Sequence, residues 1–255
     1  MNDSEKKATT HSEQRTLLRI GAVCAILGAV VSVAAGAAVG NVTGTYGAEA
    51  TLTYIAERPR WYWPTGHLGF ITGALLWVGA FVAFVRYVSP GAGRALGRLA
   101  AASALVGATV HTIDSSVSGY GLSALARAWA GAAAAEQADL LETGRLLLWI
   151  LDGTWAGVLV FFHGLPFILI GLAVLRDPWQ PGWFGWIAAL AGLGSVVTGV
   201  ARFLEVSVFP DFLFVLFAVI VSVWMVILGV AMWRRAGEAS AASRNSPAHE
   251  PLAGG

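Results

Sequence analysis

Six long apolar runs are the feature that most constrains the fold of this chain. They lie at about residues 17–40, 67–88, 98–122, 146–175, 183–204 and 212–233, and the segments between them hold most of the charge. At 1.5 Å per helical residue, each run is long enough to cross about 30 Å of hydrocarbon. We therefore predict an all-α fold, a polytopic membrane helix bundle with about six transmembrane helices.

The composition agrees with a lipid environment. The chain is 56% hydrophobic and 12% charged, whereas soluble domains carry about 25% charged residues. The lipid bilayer is therefore an expected partner. Because the net charge is only +1 and no basic cluster alternates with aromatic residues, nucleic acid is excluded as a partner. Cys24 is the only cysteine, which excludes an internal disulfide.

The domain organisation follows from the apolar runs. Residues 15–235 form the predicted transmembrane helix bundle, and residues 1–14 and 236–255 are polar tails that we expect to be disordered and cytoplasmic. The segments 41–66 and 123–145 are long for loops between crossing helices and contain helix-forming stretches. We expect them to lie on the outer surface of the bundle.

The distribution of basic residues indicates the orientation. With a cytoplasmic N-terminus, alternating crossings place eleven of the 16 Lys and Arg residues inside and five outside. This bias favours a multi-pass protein of the cytoplasmic (inner) membrane with both termini cytoplasmic.

Polar residues within the apolar runs are the first place to look for function, because they are costly in hydrocarbon. In the predicted threading, several of them fall in the outer half of different helices. We predict that they line one polar cavity: His67, His111, Asp114, Asp152, Arg202 and Glu205. Such a cavity would accept a small hydrophobic or amphipathic ligand, or support a partner protein.

Three other interpretations of these residues stay open at the level of the sequence. Arg202 could pair with Asp114 or Asp152 and simply hold the bundle together. His67, His111, Asp114 and Asp152 could instead bind a metal, iron or zinc being the expected ions, because imidazole and carboxylate ligands suit them. His111 and His163 are the candidates for axial haem ligands.

These interpretations lead to two main functional hypotheses, and they leave open whether the protein is an enzyme. The first is a non-enzymatic protein that binds a ligand or partner in the outer-leaflet cavity. The alternative is a membrane-embedded, metal- or haem-dependent oxidoreductase acting on a lipid-like or biosynthetic intermediate. A proton-coupled transporter is a third hypothesis. The chain has no phosphate-binding glycine loop and no Gly-x-Ser-x-Gly motif, which excludes ATP-driven transport and serine hydrolysis.

Two local features bear on helix shape and packing. Pro166 follows His163 by three residues and predicts a kink in the fourth crossing helix. Small residues four apart, such as Gly36 with Gly40 and Gly69 with Gly73, predict close helix packing. Association into a homo-oligomer through such faces is left open.

The segment from Val158 to Arg235 resembles a known family. The residues that carry the resemblance are Phe161-Phe162-His163-Gly164-Leu165-Pro166, Gly171-Leu172, Pro181-Gly182-Trp183-Phe184-Gly185-Trp186 and Ala191-Gly192-Leu193-Gly194. They are similar to those of the uncharacterised bacterial membrane proteins of the domain of unknown function 4386 family. The resemblance covers the C-terminal half only, and it implies a multi-helix membrane fold without an assigned activity.

Overall fold

The computed structural model of the chain describes residues 3–40, 47–178, 180–206 and 212–244. Within these ranges the regular secondary structure is helical, without a strand, which confirms the all-α prediction. The described helices begin at Asp3 and end at Arg244, inside the segments predicted to be disordered tails, and that prediction stays untested. Residues 1, 2 and 245–255 of those tails lie outside the described residues.

The helices follow one another with short connections. They are α1 (Asp3–Val39), α2 (Ala48–Ala56), α3 (Tyr62–Tyr87), α4 (Ala92–Ser116), α5 (Ser123–Gly131), α6 (Ala134–Phe161), α7 (Leu165–Leu175), α8 (Gly182–Phe203) and α9 (Phe212–Arg244). A six-residue π-helical segment, Val117–Leu122, joins α4 to α5. The chain therefore runs without a break in helical structure from Ala92 to Gly131.

Six helical stretches among the described residues are long and apolar enough to cross a membrane. They are Ser12–Val39, Tyr62–Tyr87, Ala92–Gly131, Ala134–Leu175, Gly182–Phe203 and Leu213–Glu238. Many large apolar side chains on these stretches point outward, Leu75, Leu105 and Leu190 among them. Such a surface is unfavourable in water and suits lipid, so the six-helix membrane bundle predicted from the sequence is confirmed.

The fourth crossing is interrupted where Pro166 predicted a kink. Helix α6 ends at Phe161, and α7 begins at Leu165 with the proline in its first turn. Gly164 lies between them in tight contact with its surroundings, since an added Cβ would come within 2.4 Å of Val196 Cγ2. The missing amide proton of proline and the packed glycine together explain the break.

A small helical cap covers one end of the bundle. It consists of α2, α5 and the first part of α6, which lie in the two segments predicted to be long outer loops. Its apolar core contains Leu52, Ile55, Leu122 and Ala126, and it reaches Leu151 further along α6. The third and fourth helical stretches, of 40 and 42 residues, are longer than the roughly 20 residues that a crossing needs. Their additional turns pack together in the cap, which the sequence indicated only as helix-forming loops.

The core of the bundle proper is separate from the core of the cap. It contains Trp77, Phe81 and Phe84 of α3, Phe167 of α7 and Trp224 of α9. Helices α1 and α3 approach closely at Gly73 and Gly28. A Cβ added to Gly73 would lie only 3.1 Å from the backbone oxygen of Gly28. Small residues therefore serve packing within the bundle, as the spacing predicted.

The end of the bundle opposite the cap is held by a buried carboxylate that the sequence analysis did not identify. Asp177, in the connection between α7 and α8, is almost fully buried. Its oxygens accept hydrogen bonds from Ser89 Oγ at 3.2 Å and from the Ser89 amide at 3.4 Å. Arg235 Nη1 of α9 lies 4.0 Å from the same carboxylate. Three separate parts of the chain therefore meet at one side chain.

Candidate functional site

A cavity of about 490 Å³ lies inside the bundle, on the side nearer the cap. Its walls come from α1, α3, α4, α6, α8 and α9, from the π-helical segment, and from the connection between α6 and α7. The polar residues that line it are Ser32, His67, His111, Asp114, Ser115, Ser118, Asp152, His163, Arg202 and Ser222. The apolar residues Val39 and Leu151 of the cap core, and Leu148 packed against that core, line the cavity as well.

The two acidic side chains of the cavity have different partners. Asp152 of α6 accepts a hydrogen bond of 2.6 Å from Arg202 Nη2 of α8, and both side chains are partly exposed. Asp114 of α4 is buried, and it accepts a hydrogen bond of 2.7 Å from Thr154 Oγ1 of α6. The polar contacts therefore connect α6 to α4 on one face and to α8 on another.

His67 is positioned by the π-helical segment. An added Cβ on Gly119 would lie 2.6 Å from His67 Cβ, so only glycine allows α3 this close. The nearby Ser118 carbonyl accepts a hydrogen bond of 2.9 Å from Trp63 Nε1. His67 Nδ1 in turn lies 3.0 Å from the Trp63 carbonyl oxygen, so Nδ1 carries the proton and Nε2 is left as an acceptor.

Four aromatic rings form the deep end of the cavity, which we call the aromatic floor: Trp77, His111, Phe162 and His163. Phe162 stacks on Trp77 with centroids 5.6 Å apart and on His111 with centroids 5.4 Å apart. His163 meets the rings edge-on, 6.0 Å from Trp77 and 6.3 Å from His111. The floor is therefore a packed, preorganised surface.

Three nitrogen atoms of the aromatic floor have no hydrogen-bond partner among the described residues. They are Trp77 Nε1, His111 Nδ1 and His163 Nδ1, and all three are buried. Buried polar groups are normally paired, and each unpaired group costs about 1–3 kcal/mol. All three residues line the same cavity. Arg94 Nε, the fourth buried side-chain nitrogen without a partner among the described residues, does not line it.

Comparison with known families identifies the chain. The match to the family described as Domain of unknown function (DUF4386) covers residues 20–231. The protein belongs to this family. No curated protein and no solved structure matches the chain.

The extent of the match corrects the sequence analysis on one point. The resemblance to the DUF4386 family was placed in the C-terminal half only, whereas the match begins at residue 20 and includes all but the ends of the chain. The loop and small-residue patterns that carried the resemblance were concentrated after Val158. The residues that line the cavity, from Ser32 to Ser222, thus lie within the matched region.

The structure brings five of the six predicted cavity residues of this DUF4386 protein to one cavity. His67, His111, Asp114, Asp152 and Arg202 line it, and Glu205 does not. Helix α8 ends at Phe203, and Glu205 follows in a left-handed conformation with φ 56° and an exposed side chain. The turn after α8 thus separates Glu205 from Arg202. Whether the cavity binds a ligand stays a prediction.

Sequence reasoning missed part of the lining. Trp77 was not a candidate because tryptophan in an apolar run is usually core, and only the tertiary structure shows its indole nitrogen unpaired. Ser32 and Ser222 were missed as well, although a serine in an apolar run is a weak signal of a polar surface. His163 was considered only as a haem ligand, yet it lies on the aromatic floor.

The candidate metal ligands do not come together as a metal centre. Among the residues that the structure describes, no group of three or more His, Cys, Asp or Glu side chains is placed to share an ion. Asp152 is directed to Arg202 and Asp114 to Thr154. Phe70 packs against both His67 and His111, with its ring centroid 5.9 Å from that of each histidine.

The pair His111 and His163 does not fit a haem. The ring centroids of His111, His163 and Phe162 form a triangle with sides of 6.3, 5.1 and 5.4 Å. Axial imidazoles lie on opposite sides of a flat macrocycle that extends around the iron between them. Phe162 occupies the space beside the two imidazoles that this macrocycle would need.

Proposed function

We propose that this protein binds a small amphipathic molecule in the cavity between its helices, and that it does so in a cytoplasmic membrane. The observation that carries the proposal is the set of three unpaired nitrogens on the aromatic floor. A ligand that reaches them would satisfy hydrogen-bonding groups that the protein leaves unpaired.

The arrangement of polar and apolar surface supports an amphipathic ligand. The cavity volume of about 490 Å³ lies within the range of about 300–1,000 Å³ typical of small-molecule sites. Aromatic walls with a few placed polar groups are also typical of such sites. A cavity kept only for packing would be filled more favourably by apolar side chains than by histidine and tryptophan nitrogens without partners.

The proposed orientation places the cap and the cavity on the extracytoplasmic side and both termini in the cytoplasm. Support comes from the distribution of arginine. Arg86, Arg94 and Arg176 lie at the end of the bundle opposite the cap, at the ends of α3, α4 and α7. This end is the cytoplasmic one by the positive-inside rule. Association of two copies stays a prediction.

The proposal is tested by analysing what remains bound to the purified full-length protein. Native mass spectrometry of the wild type is expected to show a small molecule at about one per chain. Ser115→Leu places a larger side chain into the cavity from α4 and is expected to reduce this occupancy. Thr109→Leu is the matched control, because Thr109 lies on the same helix and is exposed outside the cavity.

A second variant separates binding from packing. Trp77→Phe keeps an aromatic ring and removes one unpaired nitrogen, so the fold is expected to persist while occupancy falls. Wild-type protein that carries no small molecule, and whose melting temperature does not change when extracted membrane lipids are added, would contradict the proposal. So would equal occupancy in the wild type and in a folded Ser115→Leu variant.

A further inference from the structure

The side walls of the cavity contain a mouth between α1 and α9. Val33 of α1 and Val219 of α9 line the cavity, and they are also 52% and 49% exposed. Ala37 and Val215, one turn away on the same helices, share both properties. Residues that line a cavity and yet stay about half exposed mark an opening in its wall.

The mouth faces lipid rather than water. All four residues lie within the crossing stretches Ser12–Val39 and Leu213–Glu238, and their side chains are apolar. Further from the cap, α1 and α9 are in close contact, since an added Cβ on Gly229 would lie 2.8 Å from the Ala22 oxygen. Gly229 is ten residues from Val219, about 15 Å along the helix. The two helices are therefore packed together below the mouth.

The charges inside the cavity select against an anionic ligand. The described residues that line it include two carboxylates, Asp114 and Asp152, and one guanidinium, Arg202. Arg202 already donates to Asp152 at 2.6 Å. A phosphate or carboxylate head would be repelled by both acidic side chains, and the guanidinium that could attract it is already paired with Asp152. Binding of an anion is therefore unfavourable in the low dielectric of the cavity.

The deep end of the cavity selects for an acceptor of hydrogen bonds. Trp77 Nε1 can only donate, and it is buried without a partner. His111 Nδ1 and His163 Nδ1 can each donate or accept, according to the tautomer. An uncharged head with hydroxyl or carbonyl oxygens can serve all three nitrogens, whereas a wholly apolar head serves none of them.

We infer that the ligand is an amphiphile without a negative charge, whose hydroxyl- or carbonyl-bearing head enters from the bilayer while its apolar chain stays between α1 and α9. The inference rests on the proposed function and adds the chemical class of the ligand and its route. The head reaches the aromatic floor, and Val33, Ala37, Val215 and Val219 contact the chain. The molecule thus moves between lipid and cavity without crossing water.

The test uses the full-length protein in phosphatidylcholine nanodiscs. Three candidate ligands, which differ in head group or chain length, are added to it separately. Monoolein has an uncharged glycerol ester head and a long chain, monobutyrin has the same head with a short chain, and oleate has the long chain with an anionic head. Monoolein is expected to raise the calorimetric melting temperature by about 5 °C when in large excess over its dissociation constant. Monobutyrin and oleate are expected to raise it far less.

A pair of matched variants tests the route. Val33→Trp with Val219→Trp enlarges the two side chains at the mouth and is expected to abolish most of the monoolein shift. Val30→Trp with Val223→Trp is the control, because these valines are 56% and 54% exposed on the same helices and do not line the cavity. This control is expected to keep the wild-type shift.

The outcomes separate this inference from the proposed function. Equal monoolein shifts in both double variants would overturn the lateral mouth, and a monobutyrin shift as large as that of monoolein would overturn the role of the chain. An oleate shift of similar size would overturn the exclusion of an anionic head. If monoolein has no effect on a wild type that carries another bound molecule, the ligand class is wrong and the binding function stands. No probe effect and no bound molecule would overturn both.

Discussion

Arg202 of α8 and Asp152 of α6 form an ion pair, with Arg202 Nη2 2.6 Å from Asp152 Oδ1. The sequence left Asp114 and Asp152 as equal candidates for this arginine. The structure shows that Asp114 instead accepts a hydrogen bond from Thr154. The pair connects two crossing helices at the cavity wall, so it serves the architecture of the bundle and the charge balance of the cavity at once.

The ion pair leads to the first prediction. Asp152→Asn keeps the shape of the side chain and removes its charge, and we expect a loss of about 1 kcal/mol in the free energy of unfolding. The effect is modest because both side chains are partly exposed. Equilibrium unfolding in detergent measures it. In a double-mutant cycle with Arg202→Gln, the two losses should not add, and strict additivity would contradict a direct interaction.

The buried hydrogen bond of Asp114 gives the second prediction. Thr154→Val removes the donor at 2.7 Å and leaves a buried carboxyl group with one partner fewer. We expect a loss of about 1–2 kcal/mol in unfolding free energy. Thr109→Val is the control, because the Thr109 hydroxyl only donates to Leu105 of its own helix on an exposed face. Equal losses in the two variants would show that the contact between α4 and α6 contributes nothing.

Close packing between α4 and the end of α6 gives the third prediction. An added Cβ on Gly107 would lie 2.3 Å from the Phe161 oxygen and 2.6 Å from Phe162 Cα, both backbone atoms. Gly107→Ala should therefore displace the C-terminal end of α6 together with Phe162, which follows it. We expect a loss of about 1–3 kcal/mol in the free energy of unfolding. It should also weaken ligand occupancy, because Phe162 belongs to the aromatic floor.

Gly153→Ala is the matched control for this change. A Cβ on Gly153 of α6 would meet nothing within 4 Å, and alanine favours the helix more than glycine does. We expect unchanged or slightly increased stability and unchanged occupancy. Thermal unfolding of both variants checks the prediction, and a Gly107→Ala protein as stable as Gly153→Ala would contradict the described approach of α4 and α6.

The buried carboxylate opposite the cap gives the fourth prediction. Asp177→Ala removes the acceptor of two hydrogen bonds from Ser89 and the partner of Arg235. We expect a loss of about 2 kcal/mol or more in unfolding free energy, because the groups left behind are partly or fully buried. Asp139→Ala, at an exposed position of α6, should change stability by less than about 0.5 kcal/mol.

Part of the candidate site could be predicted because helical spacing is a local property. His111 and Asp114 are three residues apart, so they share a face of α4 whatever the helix packs against. The convergence of these residues with Asp152 and Arg202 was predicted from depth along separate helices, and all four do line one cavity. The same reasoning does not hold for Glu205, which does not line the cavity. Helix α8 ends before this residue, and the chain turns there.

The amino-acid sequence by itself determined the helical membrane architecture, since apolar length and charge distribution decide whether a segment crosses a bilayer, and both are local. The break near Pro166 was predictable for the same reason. Only the tertiary structure decided that Trp77 leaves its nitrogen unpaired, that Asp177 is buried, and that Val33 and Val219 border an opening. These properties depend on how each helix is rotated against its neighbours, and that rotation is set by the packing of many side chains together.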